Sequence, residues 1–314
     1  MVSYIIQRLL ASIPVVAMVG LITFAILHLA PGDPAAIIAG EEATKQEIAE
    51  IREALGTDKP LYEQFLIWVG NLLRGDLGTS VFSQRSVVQL MLQRVPATMG
   101  LAVMAQLMAI AIGIPLGVLA AWKARGIIDR VAMVFAVIAF SVPAFWVGFM
   151  FIWLFAVNLG IVPVLGYVPF SVDITLYLRG LVLPSLSIAL VAAALLARMT
   201  RSIMIEVLNE DHIRTARAKG LSERIVLLRH ALKAASIPIV TVIGISFALL
   251  LTGVVVIEVV FAIPGMGRLV VDALIRRDYP IIQGMLMVFS VLYIFVNLLV
   301  DIAYAYLDPR IRYQ

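Results

Sequence analysis

Six apolar stretches set the hydrophobic pattern of this chain. Each has 17 to 27 residues and no Asp, Glu, Lys or Arg, and they cover 9–30, 97–121, 131–157, 181–197, 237–257 and 281–300. A helix needs about 20 mostly apolar residues to cross a bilayer. The pattern therefore predicts an all-α, polytopic membrane protein with six transmembrane helices, in which the 17-residue fourth stretch has the least certain ends.

The composition is also that of a membrane protein. Of the 314 residues, 62% are hydrophobic and 14% are charged, whereas soluble domains carry about 45–50% and about 25%. These values exclude a soluble globule, and the hydrophobic content excludes a disordered chain. The absence of cysteine excludes disulfides, thiolate nucleophiles and Cys-ligated metals. Three widely separated histidines do not suggest a metal site, so no metal ligand is expected.

The basic residues indicate an orientation. With both termini on the inner side, the inner segments hold fourteen Lys and Arg, and the two short outer segments hold four. Cytoplasmic loops of membrane proteins carry such an excess. The net charge of +4 is then explained by topology, and no nucleic-acid partner is expected.

The first outer connection, 31–96, predicts two helices. Thr44-Lys-Gln-Glu47 matches a capping box, and Gly56 is a stop signal. Asp58-Lys-Pro60 opens a second helix, whose apolar stripe begins at Leu61 and which ends before Gly75. The segment is predicted to be a small external cap that packs on the helices or lies at the interface; a substrate-recognition module is the alternative.

The inner connection, 198–236, is rich in Lys and Arg and also has apolar residues at helical spacing. Gly220 interrupts the pattern and Ser222 can cap a second helix, so two short helices joined at Gly220-Leu221 are predicted. A basic amphipathic segment of this kind either lies on anionic lipid or docks to a cytoplasmic partner. Periodicity alone leaves both interpretations open.

Several kinds of chemistry have no matching motif. There is no G-x-x-x-x-G-K-[ST] to cradle ATP phosphates, and no H-E-x-x-H or G-x-S-x-G. Ion-coupled transporters usually place charged residues inside the bundle, but the six stretches contain only His28. An ion-coupled secondary transporter and an intramembrane enzyme are therefore weaker hypotheses, and the chain is not expected to be an enzyme or to hold a cofactor.

Small and polar residues within the stretches suggest close packing or a polar passage. Gly113-Ile-Pro-Leu-Gly117 is a small-xxx-small pair suited to close helix contact. Pro14 and Pro143 are expected to bend their helices, as fixed kinks or as part of a moving pathway. Scattered polar groups either line a passage or bond across helices: Gln106, Ser141, Thr241, Ser246, Thr252, Ser290 and Asn297.

The outer turn Phe261-Ala-Ile-Pro-Gly-Met-Gly-Arg-Leu269 has two glycines and a proline at the end of the fifth stretch. Such a turn is shaped by backbone demands. It is expected to be an external gate, the seat of an extracytoplasmic partner, or a simple chain reversal. The candidate residues are Pro264, Gly265, Gly267 and Arg268.

The inner segment from His212 to Leu232 resembles the Glu-Ala-Ala loop of ABC importer permeases, in the form of the dipeptide/oligopeptide/nickel family. Aligned on Gly220, Arg214 and Thr215 stand where the general motif has Glu and Ala, and only Ala216 and Gly220 match strictly. Further matches span nearly the whole chain and are similar to the first of the two paired permeases: Leu29-Ala-Pro-Gly-Asp-Pro34, Leu73-Arg-Gly-Asp-Leu-Gly78, Arg94-Val-Pro-Ala-Thr98, Pro264-Gly-Met-Gly-Arg268, Asp278-Tyr-Pro280 and Tyr306-Leu-Asp-Pro-Arg310.

The resemblance implies a type I ABC importer permease in the bacterial inner membrane. Implied partners are a second permease, two ATPase subunits that carry ATP and Mg, an extracytoplasmic binding protein and the lipid bilayer. The first short inner helix would be the coupling helix. Its candidate residues begin at Asp211 and end at Gly220, which permits the turn. Between them, Ile213 and Ala216 give a small apolar face, and the cations Arg214, Arg217 and Lys219 are available to pair with acidic groups of the ATPase.

The resemblance also divides the chain. Residues 1–93 are expected to form the first transmembrane helix and the external cap. Residues 94–307 are expected to form a five-helix permease core with the coupling loop 198–236, followed by a cytoplasmic tail at 308–314. The implied solute is a dipeptide, an oligopeptide or a related compound such as glutathione or a nickel chelate.

Overall fold

The computed structural model describes residues 2–29, 34–39, 43–161 and 166–307. The predicted tail, 308–314, and parts of the first and last family motifs lie outside the described residues. Within those ranges the secondary structure is helical, with one isolated bridge between Thr79 and Ser86. The helices are α1 (Val2–Leu29), α2 (Pro34–Ala39), α3 (Lys45–Leu55), α4 (Leu61–Leu73), α5 (Val87–Trp122), α6 (Ile127–Ser141), α7 (Ala144–Phe151), π1 (Ile152–Asn158), α8 (Ile174–Leu208), α9 (Asp211–Ala218), α10 (Glu223–Ile225), π2 (Val226–Ala231), α11 (Leu232–Val260), α12 (Met266–Arg276) and α13 (Tyr279–Leu307).

Five helical stretches are long and apolar enough to cross a membrane. They are Ile6–Ala25, Val87–Trp122, Ile174–Leu208, Glu223–Val260 and Tyr279–Leu299. A sixth apolar stretch is a bent pair of helices. The all-α, polytopic prediction is confirmed. The helices extend well past the apolar runs, and the 17-residue fourth stretch lies within a helix of 35 residues.

The third stretch is not one continuous helix, as its apolar run had suggested. Ile127–Ser141 and Ala144–Asn158 meet at an angle of 98°. Val142 between them is extended, with φ −89° and ψ 128°. Pro143 explains the break, because proline has no N–H and disfavours helical backbone at the residue before it. In contrast, Pro14, Pro115, Pro184 and Pro238 lie inside helices that continue.

The chain forms two compact units, one mainly of residues 96–268 and one of residues 6–95 and 269–294. In the first unit, α8 packs against α6, α7 and α11. The predicted close contact at Gly113 and Gly117 joins α5 to α8. A Cβ at Gly113 would lie 2.7 Å from the carbonyl oxygen of Ala193, and one at Gly117 would lie 2.6 Å from that of Ala197. Only glycine permits this approach of two main chains.

The second unit contains the predicted external helices. The capping box at α3 is confirmed, since the Thr44 Oγ1 accepts from the Glu47 N–H at 3.3 Å and the Glu47 carboxylate accepts from the Thr44 N–H at 2.8 Å. The hydrogen bonds that the Glu47 carboxylate accepts from the Thr44 N–H and from the Thr44 hydroxyl lower the pKa of Glu47. Gly56 ends α3 with φ of 67°. On α4, the rings of Phe65 and Trp68 pack against Phe24 of α1, with centroid distances of 5.2 and 6.0 Å.

Two connections contain more helix than the sequence analysis predicted. The second inner helix does not stay short, because Glu223–Val260 is one continuous helical stretch that includes the fifth predicted span. Ser222 stands at its N-cap position without a side-chain capping bond. The last outer connection contains the amphipathic helix α12, whose buried Leu269 and Ala273 are spaced by one helical turn.

We expect Gly117→Ala in α5 to lower the melting temperature of the purified protein in detergent. The new methyl group would meet the main chain of α8, and overpacking of this kind costs about 1–3 kcal/mol. Gly70→Ala in α4 is the matched control, because nothing lies within 4 Å of the added Cβ. Since alanine favours a helix over glycine by about 0.5–1 kcal/mol, this control should not lower the melting temperature. Equal melting temperatures would contradict the packing argument.

Candidate functional site

The inner segment is built around α9, which joins the end of α8 to the start of the next spanning stretch. Asn209 and Glu210 form the two-residue connection before it. Asp211 lies in its first turn, where the positive end of the helix dipole stabilises a carboxylate. Gly220 has a φ of 78°, a left-handed conformation that glycine adopts without strain. The chain then turns into α10. The structure therefore supplies the short helix and the glycine stop that the sequence predicts.

One side of α9 is buried within this chain. Ile213 has no exposed surface and Ala216 is 6% exposed. Both belong to a set of residues that we call the inner cluster: Val118, Ala121, Met204, Val207, Ile213, Ala216, Val226, Leu227, Ala231, Ala235 and Ile239. The small apolar face of the predicted coupling helix thus packs against α8 and π2, in a cluster that α5 and α11 complete, which leaves the polar face for any partner.

The exposed side of α9 carries paired charges. The Arg217 guanidinium donates to the Glu223 carboxylate, with Nε to Oε1 at 2.8 Å, across the turn at Gly220. The Arg214 Nη1 lies 3.3 Å from Asp211 Oδ1 one turn earlier. Lys219 is exposed at the C-cap. Of the seven residues predicted here, two anchor the helix, Gly220 turns the chain, and four present charge to solvent.

The segment after α9 is a π-helix. π2 (Val226–Ala231) packs against α9 through buried Val226, Leu227 and Ala231 and continues into α11. Stretches of π-helix are rare and often mark functional positions in a helix. The sequence contains no signal for it, because an i→i+5 register has no characteristic residue pattern over six residues.

An ion pair near the same end of the bundle was not recognised from the sequence. The guanidinium of Arg201 on α8 holds the carboxylate of Asp129 on α6 through Nε and through Nη2, the latter 2.7 Å from Oδ2. The N–H of Arg125 donates to the same carboxylate at 2.8 Å. The Asp129 side chain is 5% exposed and that of Arg201 is 27% exposed. Losing one partner of a buried pair is strongly destabilising, so this pair fixes α6 to α8.

The outer turn is centred on a buried carboxylate. Glu258, near the end of α11, has no exposed surface. It accepts from the hydroxyl of Thr98 at 2.5 Å and from the N–H of Arg268 at 3.0 Å. The Thr98 hydroxyl in turn accepts from the N–H of Met266 at 2.8 Å. These bonds tie α5, α11 and the start of α12 together.

The glycines of this turn are required by close approach. A Cβ at Gly265 would lie 2.1 Å from the Glu258 carboxylate, and one at Gly267 would lie 2.5 Å from the Val255 Cα. Neither glycine has a positive φ. Glycine is therefore needed here because there is no room for a Cβ, and not because of an unusual backbone conformation. The Arg268 guanidinium donates to the Ala262 carbonyl at 3.0 Å. Two of the four predicted residues, Gly265 and Arg268, therefore contact Glu258, which sequence reasoning did not select, and Gly267 packs on Val255.

The scattered polar groups of the spans bond mostly within the protein. Gln106 on α5 and Ser246 on α11 are buried and bonded across helices, with Nε2 to Oγ at 3.0 Å. Ser141, Thr241 and Ser290 instead donate to carbonyls four residues earlier in their own helices. No cluster of three or more His, Asp and Glu able to hold a metal ion occurs in the described part of the chain.

The chain matches two known protein families. Residues 113–313 match the family described as binding-protein-dependent transport system inner membrane component. Residues 1–102 match the N-terminal family of the same membrane components. Together the two matches cover both ends of the chain and include the inner segment and the outer turn.

Named relatives match over their full length. A peptide ABC transporter permease of Sinorhizobium fredii is 49% identical over 310 residues, covering 99% of each chain. A peptide transport system permease of Brucella abortus is 44% identical, covering 100% of each chain. A glutathione transport system permease of Escherichia coli is 43% identical, again covering 100% of each chain.

Solved structures show the same fold at low identity. An inward-facing form of the MetNI methionine ABC transporter matches with a TM-score of 0.60 at 19% identity, covering 70% of this chain and 97% of that chain. A chain of an amino acid ABC transporter matches with a TM-score of 0.53 at 14% identity, covering 69% and 94%. The chain therefore belongs to the family of inner membrane components of binding-protein-dependent transport systems, and its resemblance to ABC importer permeases of the peptide type is confirmed.

Proposed function

We propose that this chain forms half of an alternating-access pathway that imports short peptides or a related solute. Two separate ATPase subunits would hydrolyse ATP, a second permease would complete the pathway, and an extracytoplasmic binding protein would deliver the solute. Family membership and the peptide and glutathione permeases among the relatives support this proposal. The two-sided construction of α9 is the observation that carries it.

The construction of α9 suits the transmission of force. Its charged side faces solvent, where an ATPase groove would receive it. Its other side is fixed to the spans through Ile213 and Ala216. A packed contact of this kind resists deformation, because protein interiors are close-packed. Movement of the ATPases would therefore displace α9 as a body, and α9 would push on α5, α8 and α11.

The proposed function also fixes the orientation. α9 must face the cytoplasm to meet an ATPase, which places both termini inside, in agreement with the excess of Lys and Arg in those segments. The turn at Pro264 to Arg268 would then face outward. We infer that this turn is a gate or a contact for the binding protein, and that the division of the chain at residues 93 and 94 separates an added first span from the permease core.

The first experiment is co-purification and reconstitution. We expect the tagged chain to bring a second permease and two ATPase chains through detergent purification. The reconstituted complex should take up labelled dipeptide only with ATP and the binding protein. An ion-coupled carrier acting alone would instead move solute in liposomes that contain only this chain and an ion gradient, and that result would overturn the proposal.

Charge inversion on α9 tests the docking side. We expect Arg214→Glu with Lys219→Glu to reduce uptake by roughly tenfold or more, the equivalent of about 1.4 kcal/mol, because like charges at an interface oppose association. Stimulated ATP hydrolysis should fall together with uptake. The matched control is Arg224→Glu with Lys233→Glu, which makes the same charge change at exposed residues outside α9. Equal uptake by both variants at equal abundance would contradict the assignment of this face.

Neutralising the buried carboxylate tests the outer turn. Glu258→Gln replaces one acceptor oxygen by an NH2 group that faces a donor. An unsatisfied buried polar group costs about 1–3 kcal/mol, so we expect a lower melting temperature and weaker stimulation of ATP hydrolysis by the binding protein. Glu206→Gln, at an exposed position of α8, is the control. If stimulation is unchanged in Glu258→Gln, the turn takes no part in gating or docking.

A further inference from the structure

A cavity of about 260 Å³ lies at the break between α6 and α7. Its lining comes from three spanning segments. The broken pair contributes Ser141, Pro143 and Ala144, α8 contributes Ala192 and its neighbours, and α11 contributes Ser246 and Gly253. All of these residues belong to the unit built from residues 96–268.

The lining residues all belong to the charge-free apolar stretches 131–157, 181–197 and 237–257, which places the cavity in the hydrocarbon core. Ser141 is the fourteenth residue after Ile127, and Ser246 is the fourteenth after Leu232. At 1.5 Å per residue, both are about 21 Å along their helices. The Asp129–Arg201 pair places the start of α6 at the α9 end of the bundle. A bilayer core is about 30 Å thick, so the cavity is within the membrane and away from the surface that carries α9.

The break exposes main-chain polar groups at this depth. Pro143 has no N–H, so the carbonyl of Ala139 lacks its usual donor four residues later. α6 ends at Ser141, and the last carbonyls of a helix have no partner within it. Non-helical backbone is tolerated inside a membrane only where it is buried in protein or lines a cavity with water. Here the non-helical backbone and the cavity coincide.

The lining selects the chemistry of an occupant. It contains no Asp, Glu, Lys, Arg or His, so it suits the uncharged middle of a peptide main chain, and the charged ends of a short peptide would lie outside it. Ser246 is already bonded to Gln106, and Ser141 to the Val137 carbonyl at 2.8 Å. The remaining polar groups are the main-chain carbonyls at the end of α6, which accept from N–H donors, and the N–H groups at the start of α7, which donate to carbonyls. Apolar and small side chains form the rest of the wall.

We propose that this cavity is a transient binding site for the main chain of the transported peptide. Amide N–H groups of the solute bond to the carbonyls at the end of α6, and its uncharged side chains lie against the apolar wall. This assignment rests on the proposed function and goes beyond it by naming the site and the groups of the solute that it recognises. A site that binds the main chain of the solute would accept peptides of many different sequences.

Gly253 provides a test, and its neighbour Thr252 provides a matched control. Thr252 is exposed and does not line the cavity, so Thr252→Leu should transport as wild type does. Gly253→Leu fills the cavity and should reduce uptake of labelled trialanine by about tenfold or more, while ATP hydrolysis stimulated by the binding protein continues. Wild-type uptake by an assembled Gly253→Leu complex would overturn the site. Failure of the wild-type complex to import trialanine would instead contradict peptide import, the part of the proposed function on which this site rests.

Single cysteines provide a second test, which does not depend on a bulky side chain. The chain has no cysteine, so Gly253→Cys and Thr252→Cys each introduce one thiol at the same depth. Thr252 is exposed and does not line the cavity. In the full complex during ATP turnover, a water-soluble thiol reagent should modify Gly253→Cys, and saturating trialanine should slow that reaction. Thr252→Cys should show no protection. Equal rates with and without trialanine at Gly253→Cys would overturn the proposal.

Discussion

The pairing of main-chain polar groups inside the hydrocarbon core is the constraint on which this structure depends. An unpaired amide there costs several kcal/mol, so spanning segments are helices and irregular backbone must have protein or water beside it. The long helices α5, α8 and α11 satisfy this constraint internally. Because the main chain of each helix is paired within the helix, two helices can approach closely where their side chains are small. At Gly113 and Gly117, α5 comes close enough to α8 for main-chain contact.

The stretch from Glu223 to Val260 connects the two ends of the site. At its inner end, π2 packs against α9 in the inner cluster. At its outer end, Glu258 holds the start of α12 and Thr98 of α5. The inner end therefore shares a cluster with α5 and α9, and the outer end is bonded to α5 and α12. This arrangement gives the inner and outer contacts a continuous helical connection, which coupling between them requires.

Local signals were sufficient for part of the structure. The capping box at Thr44 and Glu47, the glycine stop at Gly56 and the end of α9 at Gly220 follow from residues that are neighbours in sequence. The Gly113 and Gly117 contact follows from helical spacing. For the caps and stops the physical cause lies within about one helical turn, so a single sequence contains the information. For the two glycines, the spacing indicates a close contact but not that its partner is α8.

The remaining features depend on distant partners. Thr98 and Glu258 are 160 residues apart, and nothing near either residue indicates the other. Ile213 and Ala216 were recognised as an apolar face, but the choice between a partner and the chain itself required the positions of α5 and α11. Pro143 indicated a bend, whereas the angle of 98° depends on packing against α8. The spacing of hydrophobic residues along the chain does not indicate any of these contacts.

The ion pair between Arg217 and Glu223 has a mechanical consequence. It bridges the turn at Gly220 and so links α9 directly to the first residue of the helix that follows. That helix continues into π2, where the i→i+5 register departs from the ordinary helical ladder. Under the proposed function, a load on α9 would therefore reach α11 through these six residues, which contact both helices.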